Sequence, residues 1–355
     1  MLFAARKKLS KEQTMATTKE QTGNLQSARL SIRLLDATMR DGGLANSFRF
    51  PDEFVRALYE TDLKSGVDYM EFGYKVSREL FPADKFGKWK FCDESDIRAI
   101  VGDNDTDMKI SVMSDVGRVD LKTEVIPKSD SVIDLYRIAA YIHQVPSAIE
   151  MIDYCHDMGY ETSCNLMAIS KNQESDLKRA LDEIGRSSVD IIYIVDSFGA
   201  LYPEEIRRVA DIYLEVGEKY GKKIGMHAHN NQQLAFANTI EACAKGVNYL
   251  DGTVSGMGRG AGNCYLEALL GFLKNPKYKL VPMLSFLREQ MAALKSSGVK
   301  WGYDTPYLLT GLYNMHPSKA IEFLKENYDI EHTLPLEDAL NDMLLICKKN
   351  GGMLV

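Results

Sequence analysis

Paired cysteines are the first thing this chain lacks. Its six cysteines, Cys92, Cys155, Cys164, Cys243, Cys264 and Cys347, never form a C-x-x-C pair. Neither a zinc ribbon nor a dithiol redox motif is signalled, and a reducing, cytosolic setting is the expectation. Long apolar runs are missing as well. The longest, Ile191-Ile192-Tyr193-Ile194-Val195, is far too short to span a bilayer, and the opening Met1-Leu2-Phe3-Ala4-Ala5 is too brief for a secretory core. An organelle transit peptide is the alternative for that opening, against which Glu12 and Glu20 speak. Positive charge is not in excess: Lys and Arg number 43 against 50 Asp and Glu, a net charge of −7, and the pI is near 5.5. That balance argues against a general nucleic-acid binder. The Gly-rich dinucleotide loop that should follow a first nucleotide-fold strand is absent, and the glycines of Gly256–Gly262 lack the Lys-Ser/Thr ending of a phosphate loop.

What is present is an ordinary globular composition, 45% apolar and 26% charged over 355 residues, enough for one large barrel with an appendage or for two domains. Residues 1–29 are polar and read as a flexible tail, with order beginning near Leu30. From there β-like runs alternate with helix-like stretches. The runs are Ile32–Leu35, Tyr69–Phe72, Lys109–Met113, Leu135–Ala139, Glu161–Leu166, Ile191–Val195, Lys223–Ala228 and Tyr249–Leu250. Helices are expected at Pro51–Ser65, Glu94–Val101, Pro146–Met158, Glu174–Ile184, Pro203–Tyr220, Leu234–Ala244 and Leu266–Leu273, while the crossover Asp115–Asp134 reads as loop-rich. Eight such units match a (β/α)8 TIM barrel over residues 30–275; a doubly wound open sheet is the runner-up. Residues 276–355, with Met283–Lys295 and Leu336–Lys348, read as a helical extension that covers the barrel mouth or forms a subunit contact. Lys274–Lys279 reads as solvated surface.

The chemistry gathers at strand ends. In Lys223-Ile224-Gly225-Met226-His227-Ala228-His229, the two histidines share one face of a strand and can reach one cation; the plainer alternative is a hydrogen-bonded pair without metal. The first strand runs into Asp36-Ala37-Thr38-Met39-Arg40-Asp41-Gly42-Gly43, and a glycine-rich segment ending in Asn263 follows the eighth. Closing a barrel sets the first strand beside the eighth. Asp41, His227, His229 and Asn263 can therefore meet at one mouth. Such a mixed nitrogen and oxygen set suits Mn²⁺, Mg²⁺, Zn²⁺ or Co²⁺.

These motifs, D-x-T-x-R-D-G, H-x-H-N and G-x-G-x-G-A-G-N, resemble those of the DRE-TIM metallolyase family, also described as HMGL-like or pyruvate carboxyltransferase-like. It includes hydroxymethylglutaryl-CoA lyase, isopropylmalate and homocitrate synthases and 4-hydroxy-2-oxovalerate aldolase. The wording G-M-H-A-H-N and G-M-G-x-G-A-G-N is nearest to the aldolase branch, and the G-G-C-P loop of the lyase branch is missing. The resemblance spans about residues 31–275. It implies that Asp41, His227 and His229 bind a divalent metal, Mn²⁺ or Mg²⁺ foremost, with Asn263 near or ligating, and that Arg40 faces the substrate oxygen. It further implies a 2-oxo acid such as pyruvate and an aldehyde or other carbonyl partner, a homo-oligomer, and in some relatives a partner dehydrogenase. Neither nucleic acid nor membrane is an expected partner.

One departure stands out. Family aldolases place a histidine, the base for the substrate hydroxyl, three residues after the metal-binding aspartate, where this chain has Leu44. Glu71, Tyr74, Lys75, Tyr307 and His316 are the candidate substitutes, with Glu71 alternatively orienting Arg40, Tyr307 alternatively core and His316 alternatively a helix cap. Asp196-Ser197-Phe198-Gly199 is expected to shape the mouth. An acyl-CoA-dependent Claisen synthase and a barrel without catalysis, acting as a binding partner, are the rival readings.

Overall fold

The computed structural model describes residues 25–327 and 336–349. Eight parallel strands close into a barrel in chain order: β1 (Arg33–Asp36), β2 (Tyr69–Tyr74), β3 (Lys109–Asp115), β4 (Leu135–Ala140), β5 (Glu161–Leu166), β6 (Ile191–Asp196), β7 (Lys223–Ala228) and β8 (Tyr249–Gly252). The seam is sealed by β1 pairing with β8, Leu35 opposite Asp251 and Asp36 opposite Gly252. The strands are covered on both faces, by helices outside and by each other's side chains inside, which is why runs such as Ile191–Asp196 are buried throughout.

Successive side chains on a strand point to opposite faces, and here the odd-numbered ones point inward. Leu35, Tyr69, Leu135, Ile191, Tyr193 and Tyr249 form one cluster inside the barrel; Leu34, Met70, Ile110, Ile192 and Leu250 join the larger core under the helices. By the same parity Glu71, Arg137, His227 and Asp251 belong to the interior. Gly225 makes room for its neighbour, since a Cβ there would come within 2.4 Å of the Tyr193 ring. At the top of β2 the register with β3 shifts between Glu71 and Tyr74. This irregularity turns Tyr74 toward the mouth and Lys75 away from it.

The expected helices are found at Asp52–Ser65, Glu94–Val101, Val145–Asp157, Glu174–Arg186, Pro203–Tyr220, Ala235–Lys245 and Leu266–Phe272. The crossover from β3 to β4 holds only the single turn Leu121–Glu124 and a short 3₁₀ turn at Lys128–Asp130. Three further helices were not foreseen: Thr38–Asn46 directly after β1, Thr305–Leu312 and Ser318–Asn327. The stretch expected as Met283–Lys295 comprises Leu280–Phe286, a wider π-type turn at Leu287–Met291, and Ala292–Ser296. Beyond the barrel, Tyr313, Met315, Ala320, Phe323, Met343 and Cys347 make a small core of their own. The Thr305–Leu312 helix lies over the mouth, where Asn231 donates to the Tyr307 carbonyl at 3.2 Å.

Residues 25–29, expected within a flexible tail, belong to the fold. The Arg29 guanidinium donates to the carbonyls of Gly246, Cys243 and Val247 at 2.8, 2.9 and 2.7 Å, fastening the entry of β1 to the approach of β8. Residues 1–24, the rest of that expected tail, lie outside the described residues. Among the described residues no helix is long and apolar enough to cross a membrane.

Candidate metal centre and active site

Asp41 comes from the helix after β1, and His227 and His229 from the end of β7 and the residue beyond it. One ligand atom from each lies within 4.8 Å of the others, and all three residues are buried. Both imidazoles turn Nε2 toward Asp41 Oδ2, at 3.4 Å from His227 and 3.6 Å from His229. The far nitrogens explain why. His229 Nδ1 sits 3.0 Å from the Asp196 carbonyl, which only accepts, so the hydrogen is on Nδ1 and the Nε2 lone pair is free. His227 Nδ1 lies 3.0 Å from Asp251 Oδ2 and is oriented in the same way. A histidine that ligates through one nitrogen and donates through the other is the usual arrangement at a metal. Asp41 Oδ2, His227 Nε2 and Asn263 Oδ1 are buried with no hydrogen-bond partner. Asn263 stands beside His229 in an isolated backbone bridge and donates its amide to the Met257 carbonyl at 3.2 Å, which leaves the oxygen as its free end. The unpartnered Asp41 Oδ2 and His227 Nε2, with the free Nε2 of His229 beside them, make a donor set that fits a divalent cation.

The charges around this set form a chain that returns on itself. Arg40 donates to Asp41 Oδ1 at 2.9 Å and to Glu71 Oε2 at 2.8 Å. Glu71 Oε2 also accepts from Arg137 at 2.8 Å, and Arg137 reaches Asp251, which holds His227. Arg137 further stacks on Tyr193, 4.3 Å from the ring centroid. Three carboxylates against two guanidinium groups leave one negative charge in this network, the sign a cation site needs. Burial alone would favour neutral Asp41, but the Arg40 charge beside it, with His227 and His229, holds the carboxyl well below the usual range. Burial pushes His229 down to about 3, so it stays neutral. Burial opposes charge on His227 too, yet its hydrogen bond to Asp251 and the Asp41 carboxylate facing its Nε2 prevail and raise it.

The mouth encloses a cavity of about 210 Å³ whose walls include Arg40, Asp41, His227, His229 and Leu44. Of the candidate bases, Tyr74 and His316 line it and three do not. Glu71 lies below, clamped between the two arginines. Lys75 is turned outward, 3.4 Å from the Cys92 carbonyl. Tyr307 packs its ring over Gly260, where a Cβ would come within 2.9 Å of it. His316 Nδ1 accepts the Ser318 backbone N–H at 3.1 Å, so its Nε2 carries hydrogen and is a donor. The Asp196–Gly199 turn shapes the mouth as expected, with Asp196 accepting from the Ala200 N–H at 3.0 Å.

Sequence reasoning missed Arg137 and Asp251. Their signal was a charge at an inward position of an apolar strand, as in Leu135-Tyr136-Arg137-Ile138-Ala139-Ala140. It also missed Lys90, which lines the cavity.

A family model described as HMGL-like matches residues 31–289. The chain belongs to the HMGL-like family. Among its relatives, an oxaloacetate decarboxylase of Mycobacterium tuberculosis is 30% identical over 245 residues, covering 68% of this chain and 69% of that one. A 4-hydroxy-2-oxovalerate aldolase of Pelotomaculum thermopropionicum is 28% identical over 257 residues, 70% of this chain and 72% of that one. The solved N-terminal domain of a Bacteroides vulgatus protein described as an aldolase superposes with a TM-score of 0.71 at 27% identity, over 85% of this chain and all (100%) of that one. This HMGL-like protein is a carbon–carbon lyase.

Proposed function

We propose that this enzyme makes or breaks a carbon–carbon bond beside the carbonyl of a 2-oxo acid, with the pyruvate skeleton common to its reactions. The observation that carries the reading is the Arg40 guanidinium: clamped by Glu71 and Asp41, it keeps Nη2 buried and without a partner at the edge of the cation set. Asp41, His227 and His229 would hold the ion, with Asn263 Oδ1 as the remaining donor; carboxylate, imidazole and amide together suit Mn²⁺ or Mg²⁺. A divalent ion there supplies Lewis-acid charge to a carbonyl oxygen. Arg40 Nη2 meets negative charge growing on the substrate oxygen as the bond to C3 breaks, and because the clamp sets it in advance no reorganisation is needed at that moment.

The wall at position 44 bears on which of two forms this chemistry takes. Aldol cleavage removes a hydroxyl proton, but Leu44 presents a hydrocarbon to the cavity, and the His316 nitrogen that could serve already carries hydrogen. Loss of carbon dioxide from a 2-oxo diacid needs no such base: the electrons of the departing bond pass into the enolate. This favours decarboxylation as the second reading, in keeping with the name of the Mycobacterium tuberculosis relative.

The test is exchange of the pyruvate C3 protons in D₂O, followed by NMR with Mn²⁺ or Mg²⁺ restored to metal-stripped enzyme. Exchange is expected in the wild type and a loss of about 100-fold or more in Arg40→Ala, with none remaining in His227→Ala. A metal-loaded wild type that exchanges nothing removes pyruvate as donor. Oxaloacetate and 4-hydroxy-2-oxovalerate, supplied separately, then distinguish decarboxylation from aldol cleavage by the product released.

A further inference from the structure

Lys90 is only 4% exposed, yet it lines the same cavity as Arg40 and the histidine pair. Its ammonium lies in a box of four aromatic rings, 4.1 Å from the centroid of Tyr74, 4.5 Å from Phe81, 4.9 Å from Phe48 and 5.8 Å from Phe86. The box is built at some conformational cost: Ser47, Phe48 and Cys92 all hold left-handed backbone, with φ of 56°, 62° and 47°. Ring faces attract the charge but accept none of the three N–H groups in a full hydrogen bond. Among the described residues the ammonium has no hydrogen-bond acceptor and no ion pair. The nearby acid, Asp115, already has a partner, Arg118, at 3.0 Å. Both line the cavity, so this wall carries two cations against one carboxylate.

A buried ammonium held by rings alone, open to a substrate cavity and beside a second cation, lacks one thing, an anionic acceptor. We infer that Lys90 with Arg118 forms a second anion subsite, which receives a carboxylate or phosphate carried by the substrate in addition to its 2-oxo acid head. The inference deepens the proposed function and rests on it: the head group is placed by Arg40 and the cation set, and the substrate is a dianion or larger. Burial, the largest influence on Lys90, draws it down to about 8, with Asp115 opposing and Arg118 assisting. Lys90 is therefore charged at neutral pH and loses its charge in mild alkali, leaving Arg118 as the only cation of the subsite.

The experiment is calorimetric titration of the Mn²⁺-loaded full-length protein with 2-oxobutyrate, 2-oxoglutarate and 2-oxo-4-phosphonobutyrate. Both dianions are expected to bind at least about tenfold more tightly than 2-oxobutyrate, the scale of one charge-assisted hydrogen bond; which dianion is tighter distinguishes carboxylate from phosphate. In Lys90→Met, whose side chain fits the ring box, the preference collapses while the 2-oxobutyrate Kd stays put. A wild-type pH series needs no variant. The affinity ratio of 2-oxoglutarate to 2-oxobutyrate, both of constant charge in this range, falls as pH rises through about 8, and taking the ratio cancels titration at the metal ligands. The other groups facing Lys90 are Tyr74, Cys92, Asp115 and Arg118; burial pushes Tyr74 and Cys92 up, so both stay neutral across that window. Equal affinity for all three ligands in the wild type, or a preference that survives in Lys90→Met, overturns the subsite. Failure of every 2-oxo acid to bind the Mn²⁺-loaded protein overturns the function it rests on, a visibly different result.

Discussion

Arg137 is fully buried and joins two carboxylates, Glu71 and Asp251, that would otherwise face each other's charge inside the barrel. Breaking a buried pair by removing one partner strands the other, a cost of about 3–5 kcal/mol. Arg137→Met is expected to destabilise the fold by that order, read from denaturant unfolding. Asp251 acts on the metal through His227, whose Nδ1 it holds. Asp251→Asn should therefore lower Mn²⁺ affinity about 10- to 100-fold, measured by titration against the free-ion EPR signal. At this scale the His227–His229 pair, Arg40 and Asp41 were legible because their residue types and spacing already spell out a site. Lys90 was not: no motif or spacing in Lys88-Trp89-Lys90-Phe91 marks a site, and only the folded chain shows four rings closing on its ammonium.

Among the elements, the strands were legible and the Thr38–Asn46 helix was not. Gly42 and Gly43 disfavour a helix interior, so local propensity marks a loop. Packing reverses that choice: a Cβ on Gly42 would press within 2.8 Å of Met257, and one on Gly43 within 2.2 Å of Phe48. The same junction of β1 with the Asp52–Ser65 helix places Asp36 against Asp62, and three of their four carboxyl oxygens lack a donor. One proton shared between the two carboxyl groups would satisfy two of these three oxygens. Burial first, and then the charge of its neighbour, raises Asp62 well above the carboxylate range, and burial raises Asp36 to about 6. Because these folded-state values exceed the unfolded value of about 4, the stability they bring is complete below pH 4 and fades as pH climbs through 6. In Asp62→Asn the amide replaces the protonated acid. Its Tm should fall less than that of the wild type between pH 5 and 8, and parallel curves would rule out the shared proton.

For the whole molecule, the alternation of eight runs with helices was enough to read the barrel, since each βα unit repeats the same two hydrophobic periods. The helices after the barrel were read less well. Thr305–Leu312 and Ser318–Asn327 are short and bury their apolar faces in a core shared with the chain's last described helix, a partner that no local pattern names. The net negative charge of the buried network gives a global prediction. Metal bound only to the folded state adds about 2.7 kcal/mol at a hundredfold excess over Kd. Stripping the metal should lower Tm by several degrees, and mutating His227 to Ala should abolish the difference.

The seam between β1 and β8 has one more consequence. Arg29 and Asp41 stand at its early side, Gly246, Val247 and Asn263 at its late side, with the histidine pair next along. A cation seated among Asp41, His227 and His229 is thus a clasp beside the joint that closes the barrel, contributed by parts of the chain far apart in sequence. Its binding is a clock for closure: during refolding, tight Mn²⁺ uptake should arrive with the final phase and lag behind the appearance of helix.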